Sequence, residues 1–295
     1  MKKLYLIVNP EGGAKKGLDI LEKVEPIFSE ADIELTILKT KYAGHAEEYA
    51  NKLPYAGYDG LCAIGGDGTM HEVINGMLKR DDNDMLPIGL LTGGTGNAFM
   101  HDINCLDPLE SARRIVNGEL RPMDIAKVKA NRELFYAFNI IGWGLVTDAS
   151  SLAEKLRWLG DKRYALAAIL EVIISKKRIS KLILDGQEID EDFVFIIGCN
   201  TIHTGKAMKI APLAKLDDGK LDVVIVRKAS RVELLKLFPK LFTGEHIKSE
   251  LVEYKQVESF SILPSEKSSI TLDGELIGHT PLHVQLEPQR INVLV

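Results

Sequence analysis

The sequence predicts two domains: an N-terminal three-layer α/β domain on a mainly parallel sheet, and a C-terminal, mainly antiparallel β-sandwich domain interrupted by helices. Two observations predict this. Over the first 125 residues, short apolar runs alternate with stretches whose apolar residues recur at helical spacing, the rhythm of βαβ units. From about Arg121 onward, strand-like runs follow one another, with Asp-Gly pairs between them. No low-complexity linker marks the boundary. It is placed to give domains 1–127 and 128–295, with the last strand returning toward the first domain.

Leu4–Val8 is an uninterrupted apolar run, as expected of a strand in a parallel sheet covered on both faces. Leu18, Leu21, Val24, Ile27 and Phe28 then recur at helical spacing. Glu34–Lys39 alternates like a strand, and Ala46, Tyr49, Ala50 and Leu53 share one helical face. Leu61–Ile64 is strand, and the helix after it carries Met70, Val73, Ile74, Met77 and Leu78. Ile88–Leu91 is the next strand, followed by a glycine loop and a helix near Pro108–Val116.

In the second domain, strands are expected at Ile125–Val128, Leu134–Ile141, Lys181–Leu184, Phe193–Gly198, Leu221–Val226, Phe260–Leu263, Ser269–Leu272 and Ile291–Val295. Helices are expected near Tyr164–Ser175 and Val232–Leu241.

The net charge of −5 gives no global attraction to nucleic acid, so no nucleic-acid partner is expected. Cys62, Cys105 and Cys199 are odd in number and widely spaced, which argues against a disulfide framework or zinc site and fits a reducing cytosol. Asn9-Pro10 ends the first apolar run well short of the ~7–15 residues of a secretory core. No apolar stretch approaches the ~20 residues of a membrane span.

Three glycine-bearing loops follow strands, where ligands bind an open α/β sheet. They are Asn9-Pro10-Glu11-Gly12-Gly13-Ala14-Lys15-Lys16-Gly17, Gly65-Gly66-Asp67-Gly68-Thr69 and Thr92-Gly93-Gly94-Thr95-Gly96-Asn97. Glycine lets backbone approach phosphate oxygens, and a helix that follows points its free N–H groups at the same place. Asp67 would repel bare phosphate. Its presence argues for an intervening Mg²⁺ or for hydrogen bonds to hydroxyls. No loop matches the P-loop pattern, which needs lysine directly after its last glycine.

These loops resemble the diacylglycerol kinase catalytic-domain family, which includes bacterial soluble lipid kinases and is similar to the sphingosine and ceramide kinases. The resemblance continues through Asn139-Ile140-Ile141-Gly142, Met208-Lys209-Ile210-Ala211-Pro212, Asp218-Gly219-Lys220-Leu221-Asp222-Val223 and Leu272-Asp273-Gly274-Glu275. It spans nearly the whole chain in the family's order, and implies the NAD kinase/diacylglycerol kinase-like fold. It implies ATP- and Mg²⁺-dependent transfer of the γ-phosphate to a lipid hydroxyl, with diacylglycerol as the leading acceptor, in a cleft between the domains.

The resemblance also assigns roles. Asp67 would sit at the nucleotide phosphates and organise Mg²⁺, and Asp124 would help hold that ion through water. Glu275, with Asp273, falls where the family keeps its proton acceptor, and Glu275 is preferred. Asn9, Thr40 and Thr95 match nucleotide contacts, beside Pro10, Glu11, Gly12, Gly13, Gly65, Gly66, Gly68, Thr69, Gly94 and Asn97 of the loops. The Asp218 carboxylate, with the main-chain carbonyls of Lys215 and Lys220, resembles a structural Mg²⁺ site.

The residues by themselves leave plainer readings open. Asp67 also suits a helix N-cap, Asp273-Gly274 a hairpin turn, Asp218-Gly219 an ordinary turn, Asn9 an Asx turn and Asp124 a solvated strand end.

A lipid substrate implies contact with a membrane surface. Lys155, Arg157, Trp158, Lys162, Arg163 and Tyr164 interleave bases and aromatics ahead of the apolar helix Ala165–Ile174, and Lys176-Lys177-Arg178 follow it. Such a helix suits an anionic membrane surface. It suits equally well packing on the β domain, which is the expectation adopted. The protein is expected in the cytoplasm, with peripheral contact at the inner membrane face and a homodimer both left open.

Ala98 stands where many bacterial diacylglycerol kinases carry aspartate. That leaves a sphingosine-like base or phosphatidylglycerol as alternative acceptors, and a non-catalytic nucleotide-binding regulator as an alternative role. An NAD kinase shares the Gly-Gly-Asp-Gly loop, but the Asn-Glu pair of that family is missing here.

Overall fold

The computed structural model describes residues 1–12, 15–156, 163–174, 178–205, 208–227 and 229–295. Gly13 lies outside the described residues, as do Arg157, Trp158, Lys162, Lys176 and Lys177 of the basic stretch. The chain divides into two compact units, Met1–Met123 with Gln289–Val295, and Asp124–Pro288.

In the first unit, the strands Lys2–Val8, Ile33–Lys39, Gly60–Gly65 and Ile88–Thr92 form a parallel sheet. Lys2–Val8 lies between Ile33–Lys39 and Gly60–Gly65, which in turn pairs with Ile88–Thr92. Val293 and Leu294 add to the far edge in parallel, opposite Ile88 and Gly89. Leu6, Val8, Cys62, Ile64 and Leu91 meet Val24, Phe28 and Ile115 of the helices Gly17–Glu30 and Pro108–Asn117 in one apolar cluster. The uninterrupted apolar strands follow from burial on both sheet faces.

The helices His45–Lys52 and Asp67–Leu78 pack together at Gly76. A Cβ there would stand 2.2 Å from the Glu47 carbonyl oxygen and 2.8 Å from Ala50 Cβ, so glycine sets how closely the two helices approach.

The second unit is a sandwich. One antiparallel sheet runs in the order Val252–Val257, Leu221–Val226, Phe195–Cys199, Ile140–Gly144, Ser269–Leu272, Glu275–His279. Facing it, Ser259–Pro264 pairs with Arg178–Leu184, which pairs with Gln187–Phe193. Trp143, Ile196, Val223 and Leu272 of the first sheet and Leu182, Phe193, Phe260 and Ile262 of the second fill the space between. The alternate residues Ile197, Val224 and Val226 are buried on the other face with Leu234 and Leu237 of the helix Arg231–Leu237. That double burial explains why Leu221–Val226 is apolar at nearly every position.

Both expected domain types are therefore present, parallel α/β first and antiparallel β second. Two expected strands are corrected. Leu134–Ile141 is broken into Glu133–Ala137 and Ile140–Gly144, because the amides of Phe138, Asn139 and Ile140 turn to the Asp273 carboxylate. Phe193–Gly198 is likewise two strands: Phe193 ends one sheet's strand and Phe195 begins the other's.

The helix Arg163–Ile174 buries Ala167 and Val172, while Leu166, Ile169, Ile173 and Ile174 are exposed. Among the described residues, no helix is long and apolar enough to cross a membrane.

Candidate active site

In the first unit the glycine loops are built against one another. Gly93 donates its N–H to the Gly65 carbonyl at 2.7 Å. A Cβ on Gly94 would stand 2.5 Å from Gly66 Cα and 2.6 Å from Asn97 Oδ1; one on Gly66 would stand 2.8 Å from Gly94 Cα. Two glycines are needed because the two backbones touch.

The first loop joins them through Asn9, whose N–H reaches the Ile64 carbonyl and whose Nδ2 reaches Thr69 Oγ1 at 3.2 Å. Asn9 Oδ1 also accepts the Glu11 N–H, so the Asx turn is real as well. Glu11 pairs with Lys15 at the surface. Thr40 N–H donates to the Val8 carbonyl, which puts Thr40 at the same strand ends. Thr95 is exposed at the tip of the third loop.

Asp67 begins the helix Asp67–Leu78, whose N-cap is Gly66, and no side chain caps that end. Its carboxylate turns instead to the next helix, Ala98–Asp102, accepting the N–H of Ala98 at 2.9 Å and of Phe99 at 3.3 Å. Asn97 has φ +49°, with its Nδ2 on the Gly94 carbonyl, and its buried Oδ1 has no hydrogen-bond partner among the described residues. Burial pushes the thiol of Cys62, in the strand Gly60–Gly65 that leads into the Asp67 loop, up to about 12, which removes it as a nucleophile.

In the second unit, Asp273 and Glu275 separate in role. Asp273 is buried and accepts three main-chain N–H groups, from Phe138, Asn139 and Ile140, at 3.3, 2.8 and 3.1 Å. It is a clamp on the backbone. Asp273 and Gly274, with φ +52° and +93°, form the two-residue hairpin turn into Glu275–His279. Glu275, just past that turn, is exposed.

Asp124 is fully buried, which corrects its reading as a solvated strand end. Its Oδ2 accepts the Gly219 N–H at 2.7 Å, and its own N–H reaches the Leu216 carbonyl. Asp124 therefore fixes the very turn that carries Lys215, Asp218 and Lys220. In that turn Asp218 accepts the Lys220 N–H and Lys220 pairs with Glu258. Among the described residues no cluster of three or more His, Cys, Asp or Glu side chains is gathered. A cation at this turn would rest on one carboxylate and carbonyl oxygens.

Residues that sequence reasoning gave no role join these carboxylates. Asn200 donates from Nδ2 to the main-chain carbonyls of Asp124 and Phe138, at 2.9 and 3.1 Å. Its N–H reaches the Asn139 carbonyl, and Thr201 Oγ1 donates to Asn139 Oδ1. The signal was local: Asn200-Thr201 are polar and fully buried directly after the apolar strand Phe195–Cys199.

Both halves of the chain resemble known proteins. Residues 3–128 match the diacylglycerol kinase catalytic domain, and residues 139–295 match the YegS C-terminal NAD kinase beta sandwich-like domain. The diacylglycerol kinase of Bacillus subtilis (strain 168) is 30% identical over 95% of this chain and 92% of its own length. Sphingosine kinase 1 of Arabidopsis thaliana is 28% identical over 94% of this chain and 69% of its own. The crystal structure of a diacylglycerol kinase from Bacillus anthracis str. Sterne has a TM-score of 0.79 at 26% identity, covering 99% of this chain and 96% of that one.

Proposed function

Because the chain belongs to the diacylglycerol kinase-like family of lipid kinases, we propose that it transfers the γ-phosphate of ATP to the hydroxyl of diacylglycerol. One observation carries the nucleotide half of this reading. Among the described residues, Asn97 Oδ1 is a buried acceptor without a partner, in a loop where Gly94 leaves no room for a Cβ. A buried acceptor of that kind calls for a ligand donor, such as a nucleotide amine or hydroxyl or a metal-bound water. The uncapped start of Asp67–Leu78 suits phosphate for the same electrostatic reason.

Phosphoryl transfer asks the protein mainly for positioning and charge neutralisation. Asp67 is the residue that would hold Mg²⁺, which when bound supplies charge neutralisation on the phosphates. Glu275 takes the proton of the acceptor hydroxyl; it is exposed to solvent, whereas Asp273 is buried and holds backbone N–H groups. Asp124 acts by fixing the turn at Lys215–Lys220, where Asp218 offers a second cation its carboxylate.

A lipid acceptor requires peripheral contact with a bilayer, and the exposed Leu166, Ile169, Ile173 and Ile174 are the side chains offered for it.

The test is transfer from radiolabelled Mg-ATP to diacylglycerol, sphingosine, ceramide and phosphatidylglycerol in mixed micelles, with NAD⁺ as a further acceptor. Diacylglycerol should be labelled most strongly. Label on NAD⁺ alone would overturn the lipid reading.

A further inference from the structure

Within the second unit, the main chain at Phe138-Asn139-Ile140 is gripped from two sides. In the peptide between Phe138 and Asn139, the carbonyl accepts from Asn200 Nδ2 at 3.1 Å and the N–H donates to Asp273 Oδ1 at 2.8 Å. In the next peptide, the Asn139 carbonyl accepts the Asn200 N–H at 2.9 Å and the Ile140 N–H donates to Asp273 Oδ1 at 3.1 Å. A peptide group bonded at both ends is polarised along its length, which strengthens both bonds. Asp273 closes the grip by donating its own N–H to the Ile140 carbonyl at 2.8 Å.

Asn200 Nδ2 also donates to the Asp124 carbonyl at 2.9 Å. Asp124 in turn holds the turn before Leu221. Its Oδ2 accepts the Gly219 N–H, and its N–H donates to the Leu216 carbonyl, both at 2.7 Å. One side-chain amide thus joins the segment that anchors the Glu275 hairpin to the residue that anchors the Asp218 turn.

The hydrogen-bond balance of Asn200 is one-sided. Carbonyl oxygens only accept, so the two it faces fix Nδ2 as the atom turned toward them. Its Oδ1 is buried and has no hydrogen-bond partner among the described residues. A buried acceptor left unmet costs stability, so the amide acts here through its donors, as a tie between two carbonyls. Thr201 backs the same tie by donating from Oγ1 to Asn139 Oδ1. At the hairpin, Thr271 Oγ1 donates to the Glu275 carbonyl at 3.1 Å, which fixes the main chain of Glu275 as well.

We propose that Asn200 is a positioning residue for phosphoryl transfer, locking the turn that carries Asp218 to the hairpin that carries Glu275. This rests on the lipid kinase reading above, in which Glu275 is the base. Asn200 acts through Phe138, Asn139 and Asp273, so a shift of the turn reaches Glu275 as a displacement of the base. Misplacement by about 1 Å is enough to cost on the order of 10²-fold in rate.

The first test is native-state hydrogen exchange on the wild-type protein. The amides of Gly219, held by Asp124, and of Asn139 and Ile140, held by Asp273, should exchange through one common opening with the same dependence on denaturant. The strand Arg178–Leu184 should open separately. In Asn200→Ser both sets of amides should exchange about tenfold faster or more, with that strand unchanged.

The second test is a kinetic cycle, with melting curves to confirm that each variant is folded. Asn200→Ser should lower kcat by about 10–100-fold and leave the KM for ATP unmoved. Added to Glu275→Gln, it should lower kcat no further, because the group it positions has already lost its charge. A merely structural loss would multiply with that of Glu275→Gln.

Separate opening of Gly219 and Asn139 in the wild type overturns the proposal, and this measurement decides the link even where Asn200→Ser fails to fold. Multiplying kcat losses in the double variant overturn it as well. If wild type phosphorylates no lipid yet both sets of amides open together, the kinase reading fails while the lock between turn and hairpin stands.

Discussion

The carboxylate of Asp67 accepts the main-chain N–H of Ala98 at 2.9 Å, so the aspartate of one glycine loop caps the helix that follows another. The cap reading of Asp67 was sound in kind but pointed to the wrong helix. Its own helix starts at Gly66 without a side-chain cap. One residue thus couples the conformation of two loops, and any ligand that pulls on Asp67 also pulls on Asn97 and Ala98.

Asp67→Ala should lower phosphoryl transfer by on the order of 10²-fold or more, the scale of losing a preorganised electrostatic group. It should also cost about 1 kcal/mol of stability, the usual value of a lost cap. Asp67→Asn keeps one acceptor oxygen and should keep most of that stability while losing transfer. Urea unfolding beside a kinase assay separates the two effects; Asp67→Asn working at wild-type rate would rule out the charge as the reason the residue matters.

Gly94→Ala places a methyl group 2.5 Å from Gly66 Cα, where only backbone could yield. Overpacking of this kind costs about 1–3 kcal/mol. The loops should part, and the KM for ATP should rise more than kcat falls. A variant with unaltered melting temperature and unaltered KM would show that the two backbones are not held in contact.

Asp273→Ala and Glu275→Gln should fail in different ways. Removing the Asp273 carboxylate leaves the N–H groups of Phe138, Asn139 and Ile140 unmatched, at roughly 1–3 kcal/mol for each buried group. The expected result is a large loss of stability. Glu275 is exposed, so Glu275→Gln should melt like wild type and lose transfer by about 10²–10⁴-fold, the range for a general base. Equal thermal loss in both variants would contradict the division of roles.

The buried His246 gives a pH dependence away from the site. Burial holds its imidazole below the ordinary value of 6.5, with Nε2 on the Ile210 carbonyl at 2.9 Å. The unfolded chain then binds the proton more readily than the folded one. Stability from this group is complete above 6.5 and is lost as pH falls below it toward the folded value. Unfolding free energy measured from pH 8 to pH 5 should drop in wild type, with a shallower slope in His246→Phe.

The parallel half of the fold was legible because its cause is local. Leu4–Val8 and Leu61–Ile64 are apolar without interruption, which only a strand covered on both faces tolerates. The break at Phe138-Asn139 was not legible, since it is made by a carboxylate distant in sequence. Nothing near residue 138 signals it. The glycines of the loops were visible, but their reason was incomplete: Gly66 and Gly94 are small because each faces the other. The burial of Asp124 was not legible for a similar reason. Its partner, Gly219, lies in a turn that the linear order does not bring to mind.

The pairing of Val293 and Leu294 with Ile88 and Gly89 imposes an order on biogenesis. When Ile88–Thr92 emerges from the ribosome, its neighbour on one side is still unsynthesised. Residues 124–288 must be translated before that edge can be closed. The nascent first unit therefore carries an open sheet edge for the whole of that interval, the kind of surface that invites wrong pairing or a chaperone. The second unit, contiguous in sequence, has all its strands in hand before the first can finish.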